Sequence, residues 1–480
     1  MADATTAPDA LYPLGILPDG TTLPTIDDDA LNSFARGPLD SSAGAAQFQR
    51  KIDERESHLG VVRGVDMENL SQAGWAVMYG PSVTPGIKKK LGPLLELRSR
   101  EAGHLYKVIE GDDSYQQGDD ATAWLKRKRS WATKGVANAR VNPENGIPFY
   151  ILIVAKPTEI PFEFQFGLDL NWGVGRLWFD DEDDFGRYAE SVVAYEEAKS
   201  LPNSRELVVF APQNGKDEAM NLLCQSLANP MVAPDKPFGA SEKFHARSFI
   251  GDTARADTLD AIFRGSGASG RPAMLFTGSH GMCFLPGDVR QAAGQGAIVC
   301  EDWRGVNSPP ESAYYTGMDA KDANVFGMVH FLFNCYGCGW PKKDTYSQMV
   351  EHHPVISPEP MLAALPQALL GHKNGSALAV IGHVDRAWST SYCSDLGPQT
   401  DGFRDVMEGI MGGSRLGSAT DTWNDRWSQL SNRVLELTPN FTQGLVDRHT
   451  MKQAWIARDD ARNYIVFGDP AVRLRPELLK

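Results

Sequence analysis

Short apolar runs alternate with amphipathic segments along the chain from residue 74 onward. Several apolar runs have the length of a strand, among them GWAVMYGP (74–81), FYILIVA (149–155), ELVVFAP (206–212), AMLFTGSHG (273–281) and SALAVIGHVDRAW (376–388). Segments with helical spacing lie between them, as in residues 184–200, where one helical face carries Phe185, Tyr188, Ala189, Val192 and Val193. Strands separated by helices are typical of a parallel α/β sheet.

The alternation restarts after SLPNSR (200–205), which indicates two α/β units in series. We therefore predict two consecutive doubly wound, mostly parallel sheets, in residues 61–203 and 204–480. Residues 1–60 are rich in Asp, Ala, Pro and Gly and have weak periodicity. This segment is predicted to be an N-terminal arm or lid that is ordered only where it docks.

Composition narrows the classes of partner. The 480 residues carry a net charge of −14, which argues against a nucleic acid or an anionic membrane as the main partner. No apolar run approaches the ~18 residues of a membrane helix, and the start, MADATTAPDALYPLG, lacks the features of a secretion signal. Six cysteines are too few for a disulfide framework. We expect reduced thiols, no membrane partner and a cytoplasmic location.

Two of the predicted strands end on reactive side chains. AMLFTGSHG delivers His280, and FLFNCYGCGWP (331–341) delivers Cys335, which lies 335 − 280 = 55 residues later. Because ligands gather outside the carboxyl ends of parallel strands, an imidazole and an exposed thiol are expected to meet there. A nearby imidazole turns a thiol into a nucleophile. Gly281 and Gly337 would let a substrate approach closely, and main-chain N–H groups beside them and Asn334 could hold an oxyanion.

This order of motifs resembles the caspase/gingipain group of cysteine peptidases, clan CD, and most closely their gingipain-type members. The resemblance rests on a strand followed by SHG, a second strand about fifty residues later followed by xCxG, the stretch 148–196, and the ending FGDPAVRL (467–474). It implies that residues 204–480 are a caspase-like catalytic unit preceded by a related α/β subdomain. It also implies that Cys335 is the nucleophile, His280 the catalytic histidine and Gly281 an oxyanion donor. Asn334 stands where the family commonly has alanine, and no residue matches a specificity pocket.

Other roles remain open for several residues. His383, at the end of another strand, is the rival for the site histidine, while Asp385 and Trp388 line the cleft or pack in the core. His330 is predicted to be a core residue. The second cysteine of CYGC, Cys338, is either a small buried side chain or a redox partner of Cys335.

A zinc site and a thiol–disulfide motif are the alternative uses of the cysteines. The zinc alternative combines His280 with Cys283, Cys300, Cys335 and Cys338. A structural zinc site usually has two CxxC-type pairs, and this set contains one. A redox CxxC belongs near the start of a small thioredoxin-like unit, whereas this one lies far along the chain. We therefore predict no metal and no cofactor.

The sequence as a whole predicts a bacterial, cytoplasmic cysteine endopeptidase that uses a Cys335/His280 dyad on protein or peptide substrates. Its activating partner, if it has one, is not specified by the sequence. The alternative is a caspase-like fold that acts as a non-catalytic interaction or sensor module, with residues 1–200 as its recognition half.

Overall fold

A computed structural model describes residues 11–36, 61–127, 141–266, 270–311, 313–347, 355–395 and 397–480. The strands in this part of the chain are β1 Gly15–Ile16, β2 Trp75–Tyr79, β3 Tyr106–Ile109, β4 Tyr150–Val154, β5 Gly173–Leu177, β6 Asn203–Ala211, β7 His245–Ile250, β8 Arg271–Gly278, β9 Gly281–Met282, β10 Ile298–Val299, β11 Tyr314–Tyr315, β12 Val329–Phe333, β13 Gly339–Trp340, β14 Met361–Leu362, β15 Ala379–His383, β16 Cys393–Ser394, β17 Gly397–Pro398 and β18 Tyr464–Gly468.

Helices flank these strands. Their bounds are α1 Asp28–Arg36, α2 Leu70–Ala73, α3 Pro85–Lys90, α4 Gly92–Ala102, α5 Ala121–Arg127, α6 Phe162–Asp169, α7 Glu182–Glu196, α8 Glu218–Leu223, α9 Asn229–Met231, α10 Ala256–Arg264, α11 Gln291–Gly294, α12 Ala364–Leu370, α13 Asp401–Met411, α14 Leu416–Ala419, α15 Asp421–Thr442 and α16 Arg448–Arg462. A π-helical turn, Cys224–Ala228, continues α8. Across the described ranges, no helix is both long enough and apolar enough to cross a bilayer.

Ten strands form one continuous sheet in the order β3-β2-β4-β5-β18-β15-β12-β8-β6-β7. Of the nine neighbouring pairs in this sheet, eight are parallel, and the antiparallel pair β15–β18 joins two parallel groups of five strands each. The four strands that precede residue 203 therefore run in the same direction as β18 and opposite to the other five. The α/β class is confirmed, but the prediction of two separate sheets is wrong.

A close approach between backbones explains how the two groups join. Val466 and Phe467 of β18 pair with Gly175 and Arg176 of β5. A Cβ atom at Gly175 would lie 2.2 Å from the carbonyl oxygen of Gly468, so only glycine fits there. β18 uses its other edge to pair with β15. The apolar pattern identified these strands, but it did not specify which of their edges pair.

The N-terminal arm adds a strand to a second, smaller sheet. β1 pairs in parallel with β9, which pairs antiparallel with β10, and β11 completes this four-stranded sheet. After β1, α1 packs against α15 and α16, where the rings of Phe34 and Trp455 stack with centroids 4.2 Å apart. Asp28 forms ion pairs with Arg448 and Lys452. The arm is thus docked at two places within residues 11–36, while residues 1–10 and 37–60 lie outside the described chain.

Candidate functional site

The register of two neighbouring strands places His280 and Cys335 at the same edge of the large sheet. β8 and β12 are parallel, and Gly278 pairs with Phe333. His280 and Cys335 each follow their paired residue by two positions, and both are fully buried. A Cβ atom at Gly281 would lie 2.1 Å from the carbonyl oxygen of Cys335, so glycine is required for the two strand ends to approach this closely.

Two N–H groups of these strand ends converge on one oxygen. The backbone N–H groups of Gly281 and Cys335 both donate to the carbonyl oxygen of Leu14, each at 3.0 Å. Two donors at this distance from one carbonyl oxygen have the geometry that an oxyanion hole requires. Cys335 itself supplies the second of these N–H groups. The arm supplies the oxygen that occupies this position.

Gly337 and Asn334 support the turn beneath this pair of donors. A Cβ atom at Gly337 would lie 2.3 Å from Oδ1 of Asn334. The side-chain amide of Asn334 donates to the carbonyl oxygen of Gly296 at 3.0 Å. The side chain of Asn334 thus ties the cysteine turn to the loop before β10.

The arm crosses the site as an extended strand. The N–H of Leu14 donates to the carbonyl oxygen of Ala387 at 2.8 Å, and the N–H of Ser389 donates to that of Tyr12 at 3.0 Å. Pro13 forms an antiparallel bridge with Trp388, which is fully buried. Residues 387–389 therefore form one wall of a cleft, and residues 12–14 lie along it.

The thiol of Cys335 is covered by this strand, which corrects the expectation of an exposed thiol. Its Sγ donates to the carbonyl oxygen of Ala387 at 3.6 Å. A Cβ atom at Gly15 would lie 3.0 Å from this Sγ and 2.8 Å from Sγ of Cys283. Burial raises the pKa of the Cys335 thiol far above its usual range. The sequence prediction treated the arm as a separate element and therefore did not anticipate that the arm buries the Cys335 thiol.

His280 has a carboxylate partner that sequence reasoning missed. Its Nε2 lies 2.9 Å from Oδ2 of Asp217, and both side chains are buried. Burial would raise the pKa of Asp217, but the charge and hydrogen bond of His280, together with N–H groups of α8, outweigh it and lower the pKa. The ionised carboxylate can only accept, so Nε2 carries a proton and Nδ1 is the nitrogen left for proton exchange. Nδ1 is buried and has no hydrogen-bond partner within the described chain.

Asp217 also caps α8, where its Oδ1 accepts the N–H of Met220 at 2.9 Å. The aspartate in KDEAMNLL was a visible helix-start signal, but this signal carried no information on its second oxygen. The rings of Trp303 and His280 pack nearly perpendicular to each other, with ring centroids 5.9 Å apart. The imidazole is thus fixed by a carboxylate on one side and an indole on another.

His383 and His330 lie in the interior of the sheet. Nε2 of His383 is 2.9 Å from Oδ1 of Asp460, and its ring packs on Tyr464 with centroids 4.0 Å apart. Asp460 also accepts the N–H of Trp388 at 3.0 Å, so the His383–Asp460 pair helps to hold residues 387–389 in place. His330 is in the core, as predicted, and burial lowers its pKa to about 3.

Asp385 lies under the turn that holds Cys335. It has a φ of 78°, its carbonyl oxygen accepts the N–H of Tyr336 at 2.7 Å, and its carboxylate accepts the N–H of Thr345 at 3.2 Å. Burial, followed by the charge of Asp344, raises its pKa to about 7. The neighbouring Arg386 donates to the carbonyl oxygen of Pro24 at 2.9 Å, which connects this turn to the arm.

The cysteines do not gather around a metal position. Within the described ranges, no group of three or more His, Cys, Asp or Glu side chains is arranged to hold a metal ion. All six cysteines are free thiols. The N–H of Cys338 donates to the carbonyl oxygen of His383 at 2.9 Å, and its Sγ would lie 2.9 Å from a Cβ atom at Gly382. Cys338 therefore packs between strands as a small buried side chain.

A second cleft lies in the first half of the chain, with a volume of about 900 Å³. Its lining includes Tyr79, Lys88, Glu110, Tyr115 and Glu159, which follow or flank β2, β3 and β4. Because β18 and β15 are antiparallel, the carboxyl ends of β2, β3 and β4 point away from those of β8 and β12. This cleft and the Cys335 site therefore lie at opposite ends of the strands of the large sheet.

Comparison with known proteins gives distant structural matches. No protein-family model matches the chain, and no curated protein matches it significantly. A solved structure described as a protease is 11% identical with a TM-score of 0.41, and the match covers 84% of this chain and 78% of that one. A complex of Porphyromonas gingivalis RgpB pro- and mature domains is 12% identical with a TM-score of 0.38 and coverages of 84% and 80%. A chain of the Saccharomyces cerevisiae separase–securin complex is 7% identical with a TM-score of 0.32, and the match covers 92% of this chain and 22% of that one.

Proposed function

We propose that the protein is a cysteine endopeptidase in which Cys335 is the nucleophile and His280 transfers the protons. One observation carries the proposal: the N–H groups of Gly281 and Cys335 hold a peptide carbonyl oxygen at 3.0 Å beside a thiol. A nucleophile next to two convergent donors is the minimum arrangement for acyl transfer.

The proposed reaction uses both side chains and both N–H groups. His280 accepts the proton of the Cys335 thiol at Nδ1, and the thiolate attacks the carbonyl carbon of the substrate. The negative charge that develops on the carbonyl oxygen is stabilised by the N–H groups of Gly281 and Cys335. The C–N bond then breaks, and the amine leaves with the proton from His280. A water molecule, deprotonated by the same imidazole, attacks the thioester, and the thiolate of Cys335 leaves and regains its proton.

Asp217 is a positioning residue in this scheme. It holds Nε2–H of His280 and thereby directs Nδ1 as the exchanging nitrogen. The ionised carboxylate also stabilises the imidazolium that forms when the thiol loses its proton. Loss of one oxyanion donor in other enzymes lowers kcat by about 10²–10³-fold. Loss of an N–H donor here should therefore lower kcat measurably.

The test is a cleavage profile on a peptide library. Because Gly15 covers the thiol, wild type and Gly15→Ala are both assayed, each with and without Cys335→Ala or His280→Ala. Cys393→Ala is the matched control, since Cys393 is a free thiol outside the site. We expect Cys335→Ala to abolish cleavage, His280→Ala to reduce it by orders of magnitude, and Cys393→Ala to leave it unchanged. Cleavage that persists in Cys335→Ala would refute the mechanism.

A non-catalytic interaction or sensor module is the second candidate, and the cleft of about 900 Å³ in the first half favours it. Such a module would keep its fold and bind a ligand at that cleft, but no variant would cleave any peptide. Uncovering the thiol discriminates the two functions. In a peptidase, Cys335 becomes much more reactive toward iodoacetamide than Cys393, whereas in a module the two react alike.

A further inference from the structure

We propose that residues 12–16 lie in the cleft in the register of a bound substrate, so that the arm closes the site and its Leu14 marks a preference for branched apolar side chains before the scissile bond. This inference rests on the proposed peptidase function. Its closure part, however, is tested without turnover.

The hydrogen bonds fix both the direction and the register of the arm. Tyr12 and Leu14 pair antiparallel with residues 387–389, and the Leu14 carbonyl oxygen takes the position of the oxyanion. Beyond the Leu14–Gly15 bond the chain pairs in parallel with β9, where the N–H of Cys283 donates to the carbonyl oxygen of Ile16 at 2.8 Å. Extended peptides that bind by strand addition use the same main-chain bonds for affinity and side-chain pockets for specificity. The bond presented to Cys335 is thus Leu14–Gly15.

The side chain of Leu14 identifies the class of substrate. It is fully buried and belongs to the main apolar core of the described chain. A charge in this position would lose its hydration. We therefore expect kcat/KM to be at least about tenfold higher for Leu than for Arg or Asp at this position. Even one missing methylene group in an apolar pocket changes kcat/KM by about 10-fold or more.

Hydrogen bonds also hold the arm on the C-terminal side of the Leu14–Gly15 bond. Residues 15–23 form a hairpin in which the N–H of Leu23 donates to the carbonyl oxygen of Gly15 at 2.9 Å. The hairpin turn is fixed by the N–H of Asn307, which donates to the carbonyl oxygen of Gly20 at 2.9 Å. If the Leu14–Gly15 bond were cleaved, the amine of Gly15 would remain beside the thioester, and the high effective concentration would favour re-formation of the bond. The arm should therefore remain intact.

Alkylation of Cys335 tests the closure. A methyl group at Gly15 would lie 2.7 Å from Leu23 Cδ1 and 3.0 Å or less from two sulfur atoms, so we expect Gly15→Ala to displace the arm. Gly92→Ala is the matched control because a Cβ atom there has open space around it. With iodoacetamide and peptide mapping, we expect Cys335 to react at least about tenfold faster in Gly15→Ala than in wild type or Gly92→Ala, as buried cysteines are inert. Equal rates in all three proteins would overturn the closure.

A second variant and an intact-mass measurement guard against misfolding of Gly15→Ala. Leu14→Ala removes the buried side chain of the arm without adding a clash, and it should also accelerate the alkylation of Cys335. Wild type should keep its full mass over days, and a fragment that begins at Gly15 would show that the arm is a processed substrate and not a cover. Loss of acceleration in both variants would likewise contradict the proposal.

The residue preference is tested on the uncovered enzyme. Peptides acetyl-Tyr-Pro-X-fluorophore, with X as Leu, Arg or Asp, are compared by kcat/KM in Gly15→Ala. The Leu peptide should be cleaved at least about tenfold faster than either charged peptide. Faster cleavage of the Arg or Asp peptide would refute the preference but leave the peptidase function standing. Accelerated alkylation with no cleavage of any peptide would refute the peptidase function and leave the closure standing.

Discussion

Replacement of Asp217 by Asn tests how much the carboxylate contributes through His280. Asn accepts the N–H of Met220 about as well as Asp does, so the cap of α8 survives. What disappears is the charged hydrogen bond to His280, which is 2.9 Å long and buried. Hydrogen bonds to charged groups contribute about 1.5–3 kcal/mol, which corresponds to a loss of roughly 10- to 150-fold in kcat/KM. The assay is turnover of the Tyr-Pro-Leu peptide in the Gly15→Ala background.

The pH dependence separates this effect from general destabilisation. The pKa of Asp217 is lowered in the folded protein, so its carboxylate is present above the unfolded pKa and is lost only as pH falls through the folded pKa. The deficit of Asp217→Asn should therefore stay constant between about pH 5 and 8. Its melting temperature should fall by less than about 4 °C.

Asp447→Asn is the matched control. Asp447 caps α16 by accepting the N–H of Thr450 at 2.9 Å, and it is exposed at the start of this helix. Its replacement should leave kcat/KM within twofold of the parent, as an exposed cap contributes about 1 kcal/mol to stability alone. If Asp217→Asn behaves like this control, or if its lost activity follows its lost stability, the assignment of Asp217 as a positioning residue is refuted.

Three further outcomes follow from the geometry. Gly281→Ala places a methyl group 2.1 Å from the carbonyl oxygen of Cys335, so kcat should fall by at least about 100-fold as the oxyanion donors separate; retained activity would contradict that role. The raised pKa of Asp385, about 7, means that the folded state holds a proton that the unfolded state releases; the free energy of unfolding by urea should therefore decline from about pH 4 to pH 7 in wild type relative to Asp385→Asn. Phe34→Ala removes the ring stacked on Trp455 and should cost about 3–5 kcal/mol in unfolding free energy while it accelerates alkylation of Cys335; an unchanged alkylation rate would show that α1 does not help to hold the arm.

The pattern of apolar runs was sufficient to predict the two strands that lead to His280 and Cys335. Strands β8 and β12 were recognisable because their interiors are buried on both faces and read as continuous apolar runs. Their ends therefore placed His280 and Cys335 at one edge, and the register of Gly278 with Phe333 agrees with that placement.

The parts that sequence reasoning missed are all non-local. Asp217 lies 63 residues from His280 and looks like any helix cap until the tertiary contact forms. Leu14 reaches the N–H groups of Gly281 and Cys335 through hydrogen bonds that span several hundred residues, and a weakly periodic arm gives no signal for them. The prediction of two sheets failed for the same reason, because strand identity does not reveal which edges pair.

The position of β18 has a consequence for how the molecule forms during synthesis. This strand occupies the middle of the sheet, yet it is translated after the nine strands that surround it. Until it emerges, β5 and β15 present unpaired edges, and such edges attract other strands. The two parallel groups therefore stay unjoined while the ribosome is still making residues 464–468. Strand β15, which lies beside β12 and the Cys335 turn, gains its partner β18 only when these residues have been made. A nascent or truncated chain should therefore lack the rigid cleft that cleavage of another protein would require.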